Sequence, residues 1–137
     1  MTLTRKEVVT NFLRYQDKIL ILRRSDKVGT YKGVWAGVSG YLEKNDIKPI
    51  ERAIIEIIEE TGLSRKHINL VKEGKTLEIV DEDKNILWIV HPFLWDIFIN
   101  KIKIDWEHKE LKWIKTKEEL DHIETVPNLK ETLETVL

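Results

Sequence analysis

The sequence predicts an α+β fold, an α/β/α sandwich in which a mixed β-sheet is flanked by helices. Short β-branched segments recur along the chain, one clear helical pattern interrupts them, and weaker helical patterns lie near the C-terminus. This order of elements argues against a doubly wound nucleotide-binding fold. Because 137 residues is a common size for one domain, we expect a single domain over residues 1–137.

The first predicted element is a β-hairpin. Residues 8–14 and 18–23 are rich in apolar and β-branched side chains, and Gln16-Asp17 between them suits a tight turn. Residues 34–42 resume a strand pattern that includes two glycines. A glycine within a strand usually marks the close approach of another backbone or of a ligand.

Residues 49–61 are predicted to form a helix. Pro49 suits a first turn, and Gly62 suits the left-handed position just after a helix end. Four further strands are expected at residues 68–73, 77–80, 86–93 and 95–104, with residues 81–85 as a hairpin loop.

Two helices are predicted near the C-terminus. Residues 116–119 resemble a capping box that opens a short helix. Pro127 is expected to begin a last helix, whose Leu129, Leu133 and Val136 fall at helical spacing.

The composition excludes several classes of function. Twenty-three basic residues nearly cancel 24 acidic ones, so we expect no nucleic-acid or membrane partner held by net charge. The chain has no cysteine, which excludes disulfides, thiolate metal sites and a cysteine nucleophile. We see neither a signal-peptide pattern nor an apolar run of about 18 residues, so a cytoplasmic location is expected.

Three glutamates share one face of the predicted helix: Glu56, Glu59 and Glu60. Like charges at this spacing cost a few tenths of a kcal/mol per pair, and the nearby helix C-terminus disfavours each anion by roughly 0.3–1 kcal/mol. A bound divalent cation would reverse that cost, and carboxylate oxygens suit Mg²⁺ or Mn²⁺. The cluster therefore predicts a metal site; the alternative is a solvated acidic face.

The segment from Gly40 to Leu63 resembles the Nudix box, G-x5-E-x7-R-E-U-x-E-E-x-G-U with U apolar. Residues 56–63, Glu-Ile-Ile-Glu-Glu-Thr-Gly-Leu, match its second half. Residues 19–24, Trp35 and the acidic-then-Trp segment 107–114 extend the resemblance over most of the chain. A Nudix-like mixed sheet flanked by helices is the fold that this resemblance implies.

The sequence departs from the box at three points. Asp46 replaces the first glutamate, the spacer at 47–54 holds eight residues instead of seven, and Ile55 occupies the arginine position. In the family that arginine orients the catalytic glutamates. Arg52, one helical turn earlier, is our candidate substitute.

The resemblance implies hydrolysis of a phosphoanhydride bond in a nucleoside diphosphate derivative. Nucleoside triphosphates, ADP-ribose, dinucleoside polyphosphates and nucleotide sugars all remain candidate substrates. The implied metal ligands are Glu56, Glu59, Glu60, the Gly40 carbonyl and a late acid, Glu107 or Glu110, with Glu56 or Glu59 as the base. The alternative is a catalytically weak nucleotide-binding or regulatory module on the same fold, and homodimers are common in the family.

Three further residues are predicted to bind substrate. Arg23 and Arg24 end the second hairpin strand and present forks suited to phosphates, although a solvent-exposed rim is an equal alternative. Trp35 is a candidate for stacking on a base, against the alternative of core packing. The other tryptophans, Trp88, Trp95, Trp106 and Trp113, are assigned to packing. The four histidines lack ligand spacing, so no histidine metal site is expected.

Overall fold

The computed structural model describes residues 2–137, which contain eight strands, two α-helices and two short 3-10 helices. The strands are β1 (Thr4–Tyr15), β2 (Lys18–Arg24), β3 (Trp35–Ala36), β4 (Val38–Tyr41), β5 (Ile68–Glu73), β6 (Leu77–Asp81), β7 (Ile86–Ile97) and β8 (His108–Ile114). The helices are α1 (Pro49–Thr61), α2 (Leu129–Glu134) and 3-10 turns at Arg65–His67 and Lys117–His122. No helix in this part of the chain is long and apolar enough to cross a membrane.

The strands form one mixed sheet with the order β3-β2-β1-β7-β5. β1 and β7 run parallel in the middle, and the other pairs are antiparallel. β4 pairs with β1, β6 with β7 and β8 with β2. The predicted α+β class with a mixed sheet is confirmed.

The two strands of the N-terminal hairpin diverge away from their turn. Its turn residues Gln16 and Asp17 both have positive φ, as tight two-residue hairpin turns require. β1 and β2 pair only near the turn; further on, β3 pairs with β2 and β4 pairs with β1. The single strand predicted at 34–42 is therefore wrong. The segment changes partner at Gly37, where a side chain would lie 2.8 Å from the Asn11 carbonyl oxygen.

Helix α1 has the predicted bounds. Pro49 lies in its first turn, and Gly62 ends it in the left-handed conformation (φ 75°), where its N–H donates to the Ile58 carbonyl. The C-terminal helix is shorter than predicted. Asn128 has a φ of 59°, so α2 begins at Leu129 and not at Pro127.

The prediction of separate strands at 86–93 and 95–104 is wrong. Residues 86–97 form one long strand, because β7 pairs with β1 along one edge and with β6 and then β5 along the other. The segment that follows has apolar side chains packed on the core, including Ile99 and Ile102, without belonging to a strand. β8 was not predicted, and Trp106, assigned to packing, is 62% exposed.

Each face of the sheet carries its own core. On one face Val9 and Leu13 of β1 pack with Ala53 and Ile57 of α1. On the other, residues of β1, β2 and β7 pack with α2 and the second 3-10 helix, for example Phe12 with Leu133. Successive side chains of a strand point to opposite faces, so β1 contributes to both cores.

Asn11 joins the elements that carry the site. It is fully buried, and its side-chain amide donates to the carbonyls of Val38 in β4 (3.1 Å) and Ala53 in α1 (3.2 Å). Its side-chain oxygen accepts the indole N–H of Trp95 in β7 at 2.8 Å. One amide thus fixes the distance between α1 and β4.

We predict that Asn11→Ala destabilises the protein by about 2–4 kcal/mol, because it leaves a buried indole N–H without its acceptor and opens a cavity. Denaturant unfolding measures this loss, with the exposed Asn69→Ala as the matched control. A loss below about 1 kcal/mol, the ordinary effect of a point mutation, would contradict the assigned role.

Candidate active site

A cavity of about 340 Å³ lies on the sheet face opposite α1. Val8 and Thr10 of β1 form part of its floor, and the intervening Val9 points into the α1 core. Leu129 and Thr132 of α2 form part of its wall. The cavity and the core that α1 covers thus lie on opposite faces of the sheet, and only Arg52, Glu56 and Glu59 of α1 reach the cavity lining.

Gly40 is where the acids of α1 reach that cavity. β4 pairs with β1 alone, so its other side is open at this point. A Cβ on Gly40 would lie 2.1 Å from Cδ of Glu56, so the Glu56 side chain occupies the space that a larger residue would fill. Glu56 and Glu59 line the cavity as a result.

The predicted metal ligands lie in two places. Gly40, Glu56, Glu59 and Glu107 all line the cavity. Glu60 is 1% exposed and lies behind them, outside the cavity lining. Its burial, and then the adjacent Glu56 carboxyl group, raise the pKa of Glu60 well above its ordinary value. Burial also raises the pKa of Glu56.

His108 packs against Glu60 and was not predicted to belong to the site. Its Nε2 lies 3.3 Å from Oε1 of Glu60, and its Nδ1 lies 3.0 Å from Oδ1 of Asp105. Burial lowers the pKa of His108, which favours the neutral ring. Only the pairing of β8 with β2 brings His108 to this point, so no local sequence pattern could have indicated it.

Arg52 holds the acids of the box together. Its Nε donates to Asp46 at 2.9 Å, one terminal nitrogen donates to Glu56 at 3.2 Å, and the other lies 3.1 Å from Glu43. The bond to Arg52 lowers the pKa of Asp46, and the bond to Asp46 raises that of Arg52. Ile55, at the arginine position of the box, is 37% exposed.

The two predicted arginines point in different directions, as neighbours in a strand do. Arg24 lines the cavity, where its Nε donates to the Thr30 carbonyl at 3.0 Å and burial lowers its pKa. Arg23 lies outside the cavity lining and binds Glu110 at 3.2 Å. Burial raises the pKa of Glu107, the late acid on the cavity wall.

Trp35 does not reach the cavity. Its ring is 8% exposed and belongs to the core that α2 covers. This placement matches the alternative of core packing and gives no support to base stacking. Trp88, which we had assigned to packing, lines the cavity.

Within residues 2–137, no set of three or more His, Asp or Glu side chains is spaced to surround a metal ion. Two observations bear on whether these residues suit a divalent cation. Oε2 of Glu60 is a buried carboxyl oxygen without a hydrogen-bond partner. The predicted ligand atoms are carboxylate oxygens and the Gly40 carbonyl oxygen, a type of ligand that Mg²⁺ and Mn²⁺ prefer.

The fold matches solved structures of one family. A MutT protein from Methanosarcina mazei Go1 is similar at a TM-score of 0.81 and 21% identity, covering 98% of this chain and 94% of that one. The C. elegans Ap4A hydrolase binary complex matches at 0.74 and 15%, covering 96% and 93%. The NUDIX domain of Shewanella oneidensis NrtR complexed with ADP ribose matches at 0.71 and 13%, covering 98% and 86%.

The comparison with curated protein sequences finds no match. The family model described as NUDIX domain, in contrast, matches residues 4–136 and so covers almost the whole chain. This protein therefore belongs to the Nudix family of pyrophosphohydrolases.

Proposed function

We propose that the protein hydrolyses a phosphoanhydride bond of a nucleoside diphosphate derivative, with Mg²⁺ or Mn²⁺ as cofactor. The observation that carries this proposal is the convergence of Glu56, Glu59, Glu107 and Arg24 on one cavity beside Gly40. The similar structures of a MutT protein, an Ap4A hydrolase and a NUDIX domain complexed with ADP ribose agree with this class of substrate.

The metal ligands in this proposal are Glu56, Glu59, Glu60, Glu107 and the Gly40 carbonyl. Glu60 contributes the buried oxygen that has no partner within the described chain. A bound divalent cation would neutralise the diphosphate and lower the pKa of a water molecule. Arg24 lies on the same cavity wall, where its guanidinium group suits a phosphate oxygen.

Between the two candidate bases, the geometry favours Glu59. Glu56 is engaged by Arg52 at 3.2 Å, whereas Glu59 is exposed on the cavity wall. In the proposed step Glu59 accepts a proton from a water molecule while the water oxygen forms a bond to phosphorus. The anhydride P–O bond breaks, and the departing phosphate keeps the electron pair. Positioning and charge neutralisation do most of the work in phosphoryl transfer.

Arg52 takes the role of the missing box arginine in this proposal. It reaches Glu56 from one helical turn earlier and is itself held by Asp46, the residue at the first acidic position of the box. Ile55 at the arginine position is an argument for the weak binding module. The contacts of Arg52 with Glu56 and Asp46 support the enzyme over that alternative.

For the reaction itself, we expect turnover of at least one phosphoanhydride in a panel of nucleoside triphosphates, ADP-ribose, dinucleoside polyphosphates and nucleotide sugars with Mg²⁺. Glu59→Gln should lower kcat by about 10²–10⁴-fold, the usual contribution of a general base. Mass spectrometry of the products identifies the bond that breaks. Glu78→Gln, an exposed change on β6 away from the cavity, should leave kcat unchanged. Saturable binding without products would refute hydrolysis.

For Arg52, we expect Arg52→Ala to lower kcat/KM by about 100-fold, since small displacements of catalytic groups have effects of this size. It should also raise the Mg²⁺ concentration needed for half-maximal rate. The matched control is Arg14→Ala, which removes another paired arginine, 2.7 Å from Asp96 and outside the cavity lining. Wild-type rate and metal dependence in Arg52→Ala would show that Arg52 does not orient the acids.

For the metal, we expect Mg²⁺ at ten times its dissociation constant to stabilise the native protein by about 1.4 kcal/mol, or roughly 5 °C in Tm. Glu60→Gln should remove most of this shift. It should also raise the Tm of the metal-free protein, because it replaces a buried carboxyl group whose charged form is costly. Glu78→Gln serves as control. An unchanged Mg²⁺ shift in Glu60→Gln would exclude Glu60 as a ligand.

A further inference from the structure

One end of the cavity is aromatic. Tyr31, Tyr41 and Trp88 all line it. The rings of Tyr41 and Trp88 lie 6.0 Å apart at 28° to each other, and Tyr31 lies 6.0 Å from Trp88 at 49°. Tyr41 directly follows Gly40 in β4, so this aromatic cluster adjoins the acids of the proposed catalytic site.

Tyr41 presents the accessible ring of the cluster. It is 49% exposed, whereas Trp88 of β7 is 8% exposed. Lys6 extends over both rings, with its Nζ 5.7 Å from the Tyr41 centroid and 6.0 Å from that of Trp88. The surrounding floor is apolar, formed by Val8, Ile79 and Val90. An aromatic ligand in contact with this floor would bury apolar surface against it.

The polar groups of Tyr31 and Trp88 are already engaged. The Trp88 indole N–H donates to the Tyr31 hydroxyl at 3.0 Å, and that hydroxyl donates to the Asp81 carboxylate. Burial, together with the bond to Asp81, raises the pKa of Tyr31 to about 12, so the hydroxyl keeps its proton. Neither group is free to recognise the edge of a base.

Tyr31 is also held firmly in place. Its φ of 50° lies in the left-handed region that a bulky residue rarely adopts, so the surrounding contacts must hold it there. The bonds to Trp88 and Asp81 connect the 25–34 loop to β7 and to the end of β6. The aromatic end of the cavity is therefore preorganised.

We infer that the Tyr41–Trp88 pair binds the nucleobase of the substrate by stacking, and that this end of the cavity does not distinguish bases by their hydrogen-bonding edges. The inference rests on the proposed function, because it assumes a nucleotide in this cavity. Stacking tolerates all bases, since each base has a π-face, whereas selectivity requires polar groups aimed at the base edge. The aromatic end offers rings and apolar side chains, and its Lys6 ammonium is directed at the ring faces of Tyr41 and Trp88.

The test measures binding, so it does not depend on turnover. Titration calorimetry with AMP, GMP, CMP and UMP should give dissociation constants within about tenfold of one another, all at least about tenfold below that of ribose 5-phosphate. Tyr41→Ala should weaken binding of each nucleotide by about 5- to 150-fold, as loss of one stacking interaction does, and leave ribose 5-phosphate unchanged. Tyr41→Phe should keep wild-type affinity.

The matched control is Tyr15→Ala, which removes a tyrosine outside the cavity lining. The ring centroid of Tyr15 lies 6.2 Å from that of Trp113. It should leave nucleotide binding unchanged. A preference of more than about 100-fold for one base would overturn the inference, because stacking alone does not discriminate so strongly. Wild-type nucleotide affinity in Tyr41→Ala would overturn it too. If the protein hydrolyses a nucleotide derivative, the proposed function stands even when one of these two results overturns the stacking inference. If nucleotides bind as expected but no hydrolysis occurs, only the proposed function is overturned.

Discussion

The site depends on the contact between α1 and β4 at Gly40. The helix packs on one face of the sheet and the cavity lies on the other, so the helix acids must pass an open strand edge. They can do so because Gly40 leaves the space that the Glu56 side chain fills. The Asn11 amide bonds to both elements and keeps them at that separation. A glycine and a buried amide thus decide where the carboxylates lie.

The electrostatics follow from the same contact. Bringing several carboxyl groups together near a helix C-terminus is unfavourable, and burial increases the cost for Glu56 and Glu60. Arg52 offsets part of it by contacting acids from the helix and from the preceding loop. Glu60 lies behind, beside His108, whose pKa is lowered by burial, and one Glu60 oxygen has no hydrogen-bond partner in the described chain. Arg52 thus compensates only part of the charge of this carboxyl cluster.

Local patterns predicted α1 and the hairpin turn because Pro49, Gly62 and the apolar periodicity act within a few residues of one another. They also indicated that Glu56 and Glu59 lie close together and that Arg52 is near them, since one helix defines those spacings, but not that Glu60 is buried outside the cavity lining. Local patterns failed where pairing between distant segments determines the structure. β7 is continuous because it has partner strands on both sides, and the pairing of β8 with β2 brings His108 next to Glu60. Whether Arg23 or Arg24 meets the cavity depends on strand orientation, which was not predictable from an arginine pair.

The cavity combines two chemistries whose requirements conflict. Carboxylates that hold a hydrated cation need polar surroundings, whereas a stacking surface gains from excluding water. β4 reconciles them over two residues, because consecutive side chains of a strand point to opposite faces. The Glu56 side chain occupies the space that a side chain at Gly40 would fill, and the next residue, Tyr41, lines the cavity with its ring. The helix acids and the aromatic rings of the cavity therefore lie on different faces of β4. Under the inference drawn from Tyr41 and Trp88, substitutions on the sheet face and in the 25–34 loop change ligand preference while the acids and Arg52 stay in place.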